Sequence, residues 1–258
     1  MCGSPRYVMF FAVAAIAIGI GAVTAHGDDW DIYLTVDNQF DVYFGTPTTT
    51  NYFAGGGNDW TTEYNFTATG RAPTDYLYVS TASDHNVAQG FIGDFTNVTT
   101  SASIATGDVV WEVFPAGAYA ATNPYGPGNW PASLMPTQTE VDTAIAYATA
   151  NNLWVAPTTA PGYDNDPSTP ISPYSYVWTA SLPNIPAAAN WIWYDSGLDT
   201  STSTFMPVPF AGFNHDEFLV FRVAGVAPEP GTVSLLAIGS LAMLRRRRRR
   251  AAAGTYDE

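Results

Sequence analysis

The feature that most constrains this chain is a two-residue alternation of apolar and polar side chains that restarts repeatedly between turn residues. In "DIYLTVD" it puts Ile32, Leu34 and Val36 on one side, and in "FDVYF" it does the same with Phe40, Val42 and Phe44. "WTTEYNF" alternates Trp60, Thr62, Tyr64 and Phe66, and "DYLYVST" sets Leu77 and Val79 against Tyr76 and Tyr78. "DVVWEVF", "WIWYDS" and "EFLVFRV" carry the same signal. Successive side chains of a strand point to opposite faces, so each segment reads as a strand with one buried side. The segments are short, rich in aromatic and β-branched residues, and bounded by Gly, Pro, Asn, Asp and Thr, which predicts a mainly β fold, an antiparallel β-sandwich.

One stretch has a different period. "PTQTEVDTAIAYATANN" begins with Thr137 and Glu140 at capping-box spacing, places Val141, Ala144, Ile145 and Ala148 on one face, and ends at two asparagines. It predicts one short helix over about Thr137 to Ala150, packed against an edge or end of the sandwich. "VAPTTAPGYDNDPSTPISP", residues 155–173, is too rich in proline and turn residues for regular structure and is expected to be a long surface loop. No repeat of fixed period and no dividing linker is visible, so residues 28–226 are read as one domain.

Charge is distributed very unevenly. Asp28 to Ala227 holds twenty Asp and Glu against Arg71 and Arg222, a formal charge of −18, and the chain has no lysine. A surface of that sign repels nucleic-acid phosphates and anionic membranes, which excludes nucleic acid as a partner. Hydrophobic residues at 47% and aromatics at 14% supply enough apolar surface for a core despite the charge. The one cysteine, Cys2, precedes this middle, so disulfides, zinc–thiolate sites and cysteine nucleophiles are excluded from it together.

The other positive charges mark the two ends. Arg6 is followed by an apolar stretch from Tyr7 to Val23 and then by Val23-Thr24-Ala25, small residues at the positions a signal peptidase reads. Residues 1–25 are therefore read as a secretory signal peptide cleaved after Ala25. At the other end Pro228, Glu229 and Pro230 precede an apolar helix former, residues 231–244, and then Arg245, Arg246, Arg247, Arg248, Arg249 and Arg250. Residues 227–250 in this order resemble the PEP-CTERM sorting signal of exported bacterial proteins. The resemblance implies an exosortase and the secretion machinery as partners, transient inner-membrane association through a transmembrane helix, and a final place at the cell surface or in the extracellular matrix. Arginines after the apolar run hold that end in the cytoplasm. Fourteen helical residues span about 21 Å, less than a roughly 30 Å hydrocarbon core, and a tail, residues 251–258, follows where the family usually ends.

The middle resembles a second family. "LTVDNQFDVYFGT", "DWTTEYNFTA", "DYLYVSTAS", "GFIGDF", "DVVWEVFPAG", "LWVAP", "ANWIWYDSG" and "FLVFRVAG" occur in an order similar to that of galactose-binding-like jelly-roll domains. That resemblance implies a jelly-roll form of the sandwich and contact with extracellular polysaccharide. The glycine-rich "FAGGGND" before Trp60 and the loop after Ala156 depart from the pattern.

No catalytic constellation stands out. His85 and His215 have Asp84, Asp216 and Glu217 beside them, but no serine occupies a nucleophile-elbow context, and ordinary loop hydrogen bonding is the simpler reading. With twenty acidic residues, chance carboxylate pairs are guaranteed and say nothing about glycoside hydrolysis. "DNDPS" makes Asp164 and Asp166 a candidate pair for Ca2+, with an Asx turn as the alternative. Trp111, Trp191 and Trp193 fall in strand patterns and are expected in the core, whereas Trp130 and Tyr163, in proline-rich context, are the candidates for stacking on a sugar. The sequence thus predicts an exported, non-enzymatic, glycan-binding protein. A purely structural surface protein and a secreted glycan-active enzyme stand as the alternatives.

Overall fold

The computed structural model describes residues 27–82, 89–122, 135–166, 182–194 and 218–225. Within them the alternating segments pair into two antiparallel sheets. The first contains β1 (Asp28–Asp37), β4 (Tyr64–Arg71), β6 (Gly90–Asn97), β9 (Thr158–Asp164) and β10 (Asn190–Trp193) in the order β4-β1-β6-β10-β9, with β7 (Ala102–Ala105) also on β6. The second contains β2 (Gln39–Thr46), β3 (Thr49–Gly57), β5 (Tyr76–Ala82), β8 (Glu112–Phe114) and β11 (Val220–Val223) in the order β3-β2-β5-β11-β8.

The faces predicted to be apolar are the buried ones. Ile32, Leu34 and Val36 of β1 and Phe40, Val42 and Phe44 of β2 join Leu77, Val79, Phe91, Phe95 and Phe221 in one cluster, together with Trp111, Trp191 and Trp193. Burying each of these large side chains contributes about 1.5–3 kcal/mol, so the cluster is the main source of stability. Ring pairs such as Phe91 with Trp111, 5.3 Å apart at 88°, take the edge-to-face geometry that the ring quadrupoles favour.

Helix α2 (Gln138–Asn151) forms as its caps require. Thr137 Oγ1 accepts from the Glu140 N–H, the Glu140 carboxylate accepts from the Thr137 N–H at 2.8 Å, and Asn152 closes the other end in the left-handed region at φ 53°. Its buried residues are Val141, Ala144, Ile145 and Ala148, the predicted stripe. Its position differs from the expected edge or end. The stripe packs with Tyr43, Tyr78, Phe114 and Val220 in a second cluster, on the side of β2, β5, β8 and β11 opposite the main core. Those strands carry aromatic or aliphatic groups on both faces, so their sheet requires a cover on its outside as well.

Other local readings change in the folded chain. A second short helix, α1 (Ala116–Thr122), is present where one helix was expected. β4 starts only at Tyr64, because Asp59 accepts from Thr61 N–H and from the Thr61 and Thr62 hydroxyls and turns the chain at Trp60. β8 keeps only the end of "DVVWEVF", and Val109 is 99% exposed in the turn before it. The glycine run belongs to β3: a Cβ on Gly55 would lie 2.2 Å from the Phe66 ring, and one on Gly57 would lie 2.4 Å from that of Tyr64. β9 runs through the segment read as an irregular loop, held by Asn190↔Asp164 and Ile192↔Thr159 pairing with β10. Among the described residues no helix is long and apolar enough to cross a membrane; residues 231–244 lie outside them.

Candidate functional site

The outer face of the second sheet, on its β3 side, brings together groups that sequence alone did not connect. Register sets three cross-strand rows there: Gly56, Asp41 and Ser80; Phe53, Tyr43 and Tyr78; and Thr50, Gly45 and Tyr76. Helix α2 borders the third row. Asp142 on its first turns accepts at one oxygen, Oδ1, from the Thr50 N–H at 2.6 Å and from the Thr50 hydroxyl at 2.8 Å, and Gln138 Nε2 donates to that hydroxyl at 2.9 Å. Gly45 permits the close approach of β2 to β3, since a Cβ there would sit 2.1 Å from the Thr49 carbonyl oxygen.

In the middle row the Phe53 ring is 53% exposed, 5.4 Å from Tyr43 and tilted by 51°. The Tyr43 hydroxyl donates to Asp41 Oδ2 at 3.1 Å. Burial pushes the Asp41 carboxyl above its ordinary range, and the Tyr43 bond only partly offsets this. Burial also raises the Tyr43 phenol, and the charge and hydrogen bond of Asp41 and the charge of Asp142 add to that. Gly56 leaves room for the carboxylate, because a Cβ there would meet Asp41 Oδ1 at 2.2 Å. The neighbouring Ser80 Oγ is buried with no hydrogen-bond partner among the described residues. The result is a small shelf with an exposed ring, an incompletely solvated carboxylate, and a threonine hydroxyl shared between an acid and an amide.

Keeping Asp41 ionised lowers stability, with a predictable sign. A raised folded-state value means that the folded form binds more protons than the unfolded one, so stability falls as pH rises from the ordinary value of 3.8 through the raised one. Asp41→Asn is therefore expected to unfold at higher urea than the wild type at neutral pH, with the gap closing in acid. Equal urea midpoints for the two proteins across that range would contradict the desolvation.

Both arginines of the domain are taken up by aromatic rings. Arg222 lies 3.8 Å over Trp154 and 5.3 Å over Tyr76 and pairs with Glu112, and Arg71 lies 3.8 Å over Tyr52. Their use is internal, which accentuates the negative field of the surface.

The sites expected from sequence are distributed differently. Asp164 ends β9 and accepts the Asp166 N–H on Oδ1 at 3.0 Å, the Asx-turn alternative. Between them Asn165 Nδ2 reaches the Leu182 and Ile185 carbonyls at 2.8 and 2.6 Å and ties residues 182–189 down. Among the described residues no three His, Cys, Asp or Glu side chains gather to hold a metal ion. Tyr163 is in β9 rather than in an irregular loop. Ala25, His85, Trp130, His215, Pro228, Glu229, Pro230 and Arg245 to Arg250 lie outside the described residues. The sequence singled out neither Asp41 nor Phe53: Asp41 falls on the polar side of a strand pattern, and Phe53 opens the glycine-rich stretch that departs from the strand segments. The local hint was Phe53 one residue before three glycines, with Ala54 between.

Comparison with protein-family models, with curated proteins and with solved structures finds no match.

Proposed function

We propose that this is an exported, non-enzymatic surface or extracellular-matrix protein whose galactose-binding-like jelly-roll domain contacts uncharged glycans at the Phe53–Asp41 shelf. The exposed Phe53 ring beside the desolvated Asp41 carboxylate carries the reading. Sugars offer apolar C–H faces to an aromatic ring and hydroxyls to a carboxylate, so the two groups suit one ligand. The charge of −18 over Asp28 to Ala227 disfavours anionic polysaccharides and points to neutral ones. The signal peptide through Ala25 delivers the chain. Pro228, Glu229 and Pro230 before the apolar run and the arginines hand it to an exosortase.

The test is retention of the purified protein on a panel of neutral and acidic polysaccharides, with and without calcium. Phe53→Ala is expected to weaken binding to a neutral glycan about 3- to 10-fold, the equivalent of about 0.5–1.5 kcal/mol of ring contact. No retention on any glycan sinks the binding claim and leaves a structural surface protein, while turnover of any panel member establishes an enzyme. For sorting, native material from an exosortase-containing host should lack the arginine cluster by mass spectrometry; an intact cluster refutes processing.

A further inference from the structure

We propose that Thr50 and Gln138 join as an intramolecular ester, a covalent bolt between the edge strand β3 and the first turn of α2. The Thr50 hydroxyl points its proton at Asp142 Oδ1, 2.8 Å away, and its lone pair at the Gln138 amide, 2.9 Å away. The Thr50 N–H holds the same carboxylate oxygen at 2.6 Å, which fixes the acid against the nucleophile. Gln138 and Asp142 are four residues apart on one helix and therefore share a face. A base and the amide to be attacked thus meet at one hydroxyl, the set of groups that acyl transfer requires.

The step balances without any co-reactant. A turn of the Gln138 amide about its soft Cγ–Cδ torsion leaves Cδ in place, releases the Nε2–Oγ1 hydrogen bond and turns the face of the amide to Thr50 Oγ1. Asp142 takes the hydroxyl proton as Oγ1 bonds to Cδ, the C–N bond of the tetrahedral intermediate breaks, and Asp142 returns the proton to the departing nitrogen. The products are the Oγ1–Cδ ester and ammonia. Gln138 is the first residue of a 14-residue helix, so the negative charge on the amide oxygen develops beside the positive end of the helix dipole. Ester formation from an amide is uphill between free molecules. Here the effective concentration of positioned groups, on the order of 10⁵–10⁸ M in well-oriented cases, lowers the barrier, and the escape of ammonia as ammonium draws the reaction forward. Thr50 is only 5% exposed, which buries the ester oxygen, while Gln138, which carries the ester carbonyl, stands at the exposed start of the helix. A domain without cysteine gains in this way the cross-link that a disulfide supplies elsewhere. The bond is independent of the glycan reading, and Phe53→Ala leaves it in place.

Peptide mapping of the purified full chain by mass spectrometry decides the matter. The expected result is a linked pair of peptides containing Thr50 and Gln138, lighter than their sum by one ammonia and separated by hydroxylamine. Thr50→Ser should retain the link, Asp142→Asn should slow its formation, and Thr50→Ala and Gln138→Ala should abolish it. The wild-type map does not depend on whether any variant folds. Recovery of both peptides unlinked, with the Gln138 amide intact, overturns the proposal, as does a link through any other pair.

Discussion

Trp111→Ala is expected to destabilise the domain by about 4 kcal/mol, near the upper end for loss of a buried ring. The indole is 1% exposed and stands between two sheet residues, with its centroid 5.3 Å from that of Phe91 and 5.2 Å from that of Phe95. Its Nε1 donates to the Ala105 carbonyl at 2.9 Å, so truncation leaves a cavity and leaves that carbonyl with the Asp108 N–H, 3.2 Å away, as its remaining donor. Trp111→Phe keeps a ring in place and forfeits mainly the hydrogen bond, for a loss of about 1–2 kcal/mol. For a domain of this size 4 kcal/mol corresponds to a fall in Tm of roughly 8–16 °C. Urea unfolding followed by tryptophan fluorescence measures both variants. A loss below 1 kcal/mol for the alanine variant would mean that the indole is not a keystone of the core.

The second large effect is at Arg222. Its Nε and Nη2 both meet Glu112 Oε2 at 2.7 Å, its Nη1 reaches Thr149 Oγ1 at 3.3 Å, and its guanidinium faces the Trp154 ring. The side chain is 11% exposed against 42% for Glu112. Arg222→Ala is expected to cost about 3 kcal/mol, combining a desolvated cation–π contact with charge-assisted hydrogen bonds. Glu112 is open enough to be solvated once alone, so the loss stays short of that of a fully buried pair. Arg222→Lys should recover less than half, because an ammonium cannot fork to Glu112 while lying flat on Trp154. A double-mutant cycle with Glu112→Ala separates the pair from the stacking, and a coupling near zero would assign the whole effect to Trp154 and Tyr76. Since Arg222 sits between β11 and the residues that follow α2, loosening it should also alter the near-UV signal of Trp154.

The core and the helix were legible for different reasons. Ile32, Leu34, Val36, Phe40, Val42 and Phe44 were readable because alternation in an extended chain depends only on neighbouring residues. The stripe of α2 was readable for the same cause at a different period, and the two members of its capping box, Thr137 and Glu140, lie three residues apart. The place of the glycine run in β3 was not legible because the reason for it is tertiary. Nothing local announces that Phe66 and Tyr64 will press against Gly55 and Gly57. β9 was missed because Pro161 and Gly162 argue locally against a strand, while its partner β10 is far along the chain. Val109 and Val110 show the opposite failure, a strand-like pair of residues left in a turn.

The candidate site was the least legible part. Asp41 and Phe53 are twelve positions apart, and Thr50 is 88 residues from Gln138 and 92 from Asp142. The sequence by itself determined the class of fold, the acidic and cysteine-free character of the domain, and the helix with its buried stripe. All of these follow from composition or from periods that the backbone imposes on adjacent residues. Only the tertiary structure decided that the helix covers a sheet face, that Phe53 and Asp41 share a shelf, and that a hydroxyl, a carboxylate and an amide meet at Thr50. Those outcomes depend on strand register and on which surfaces are left unburied after the sheets pair, and neither quantity exists until the chain has folded.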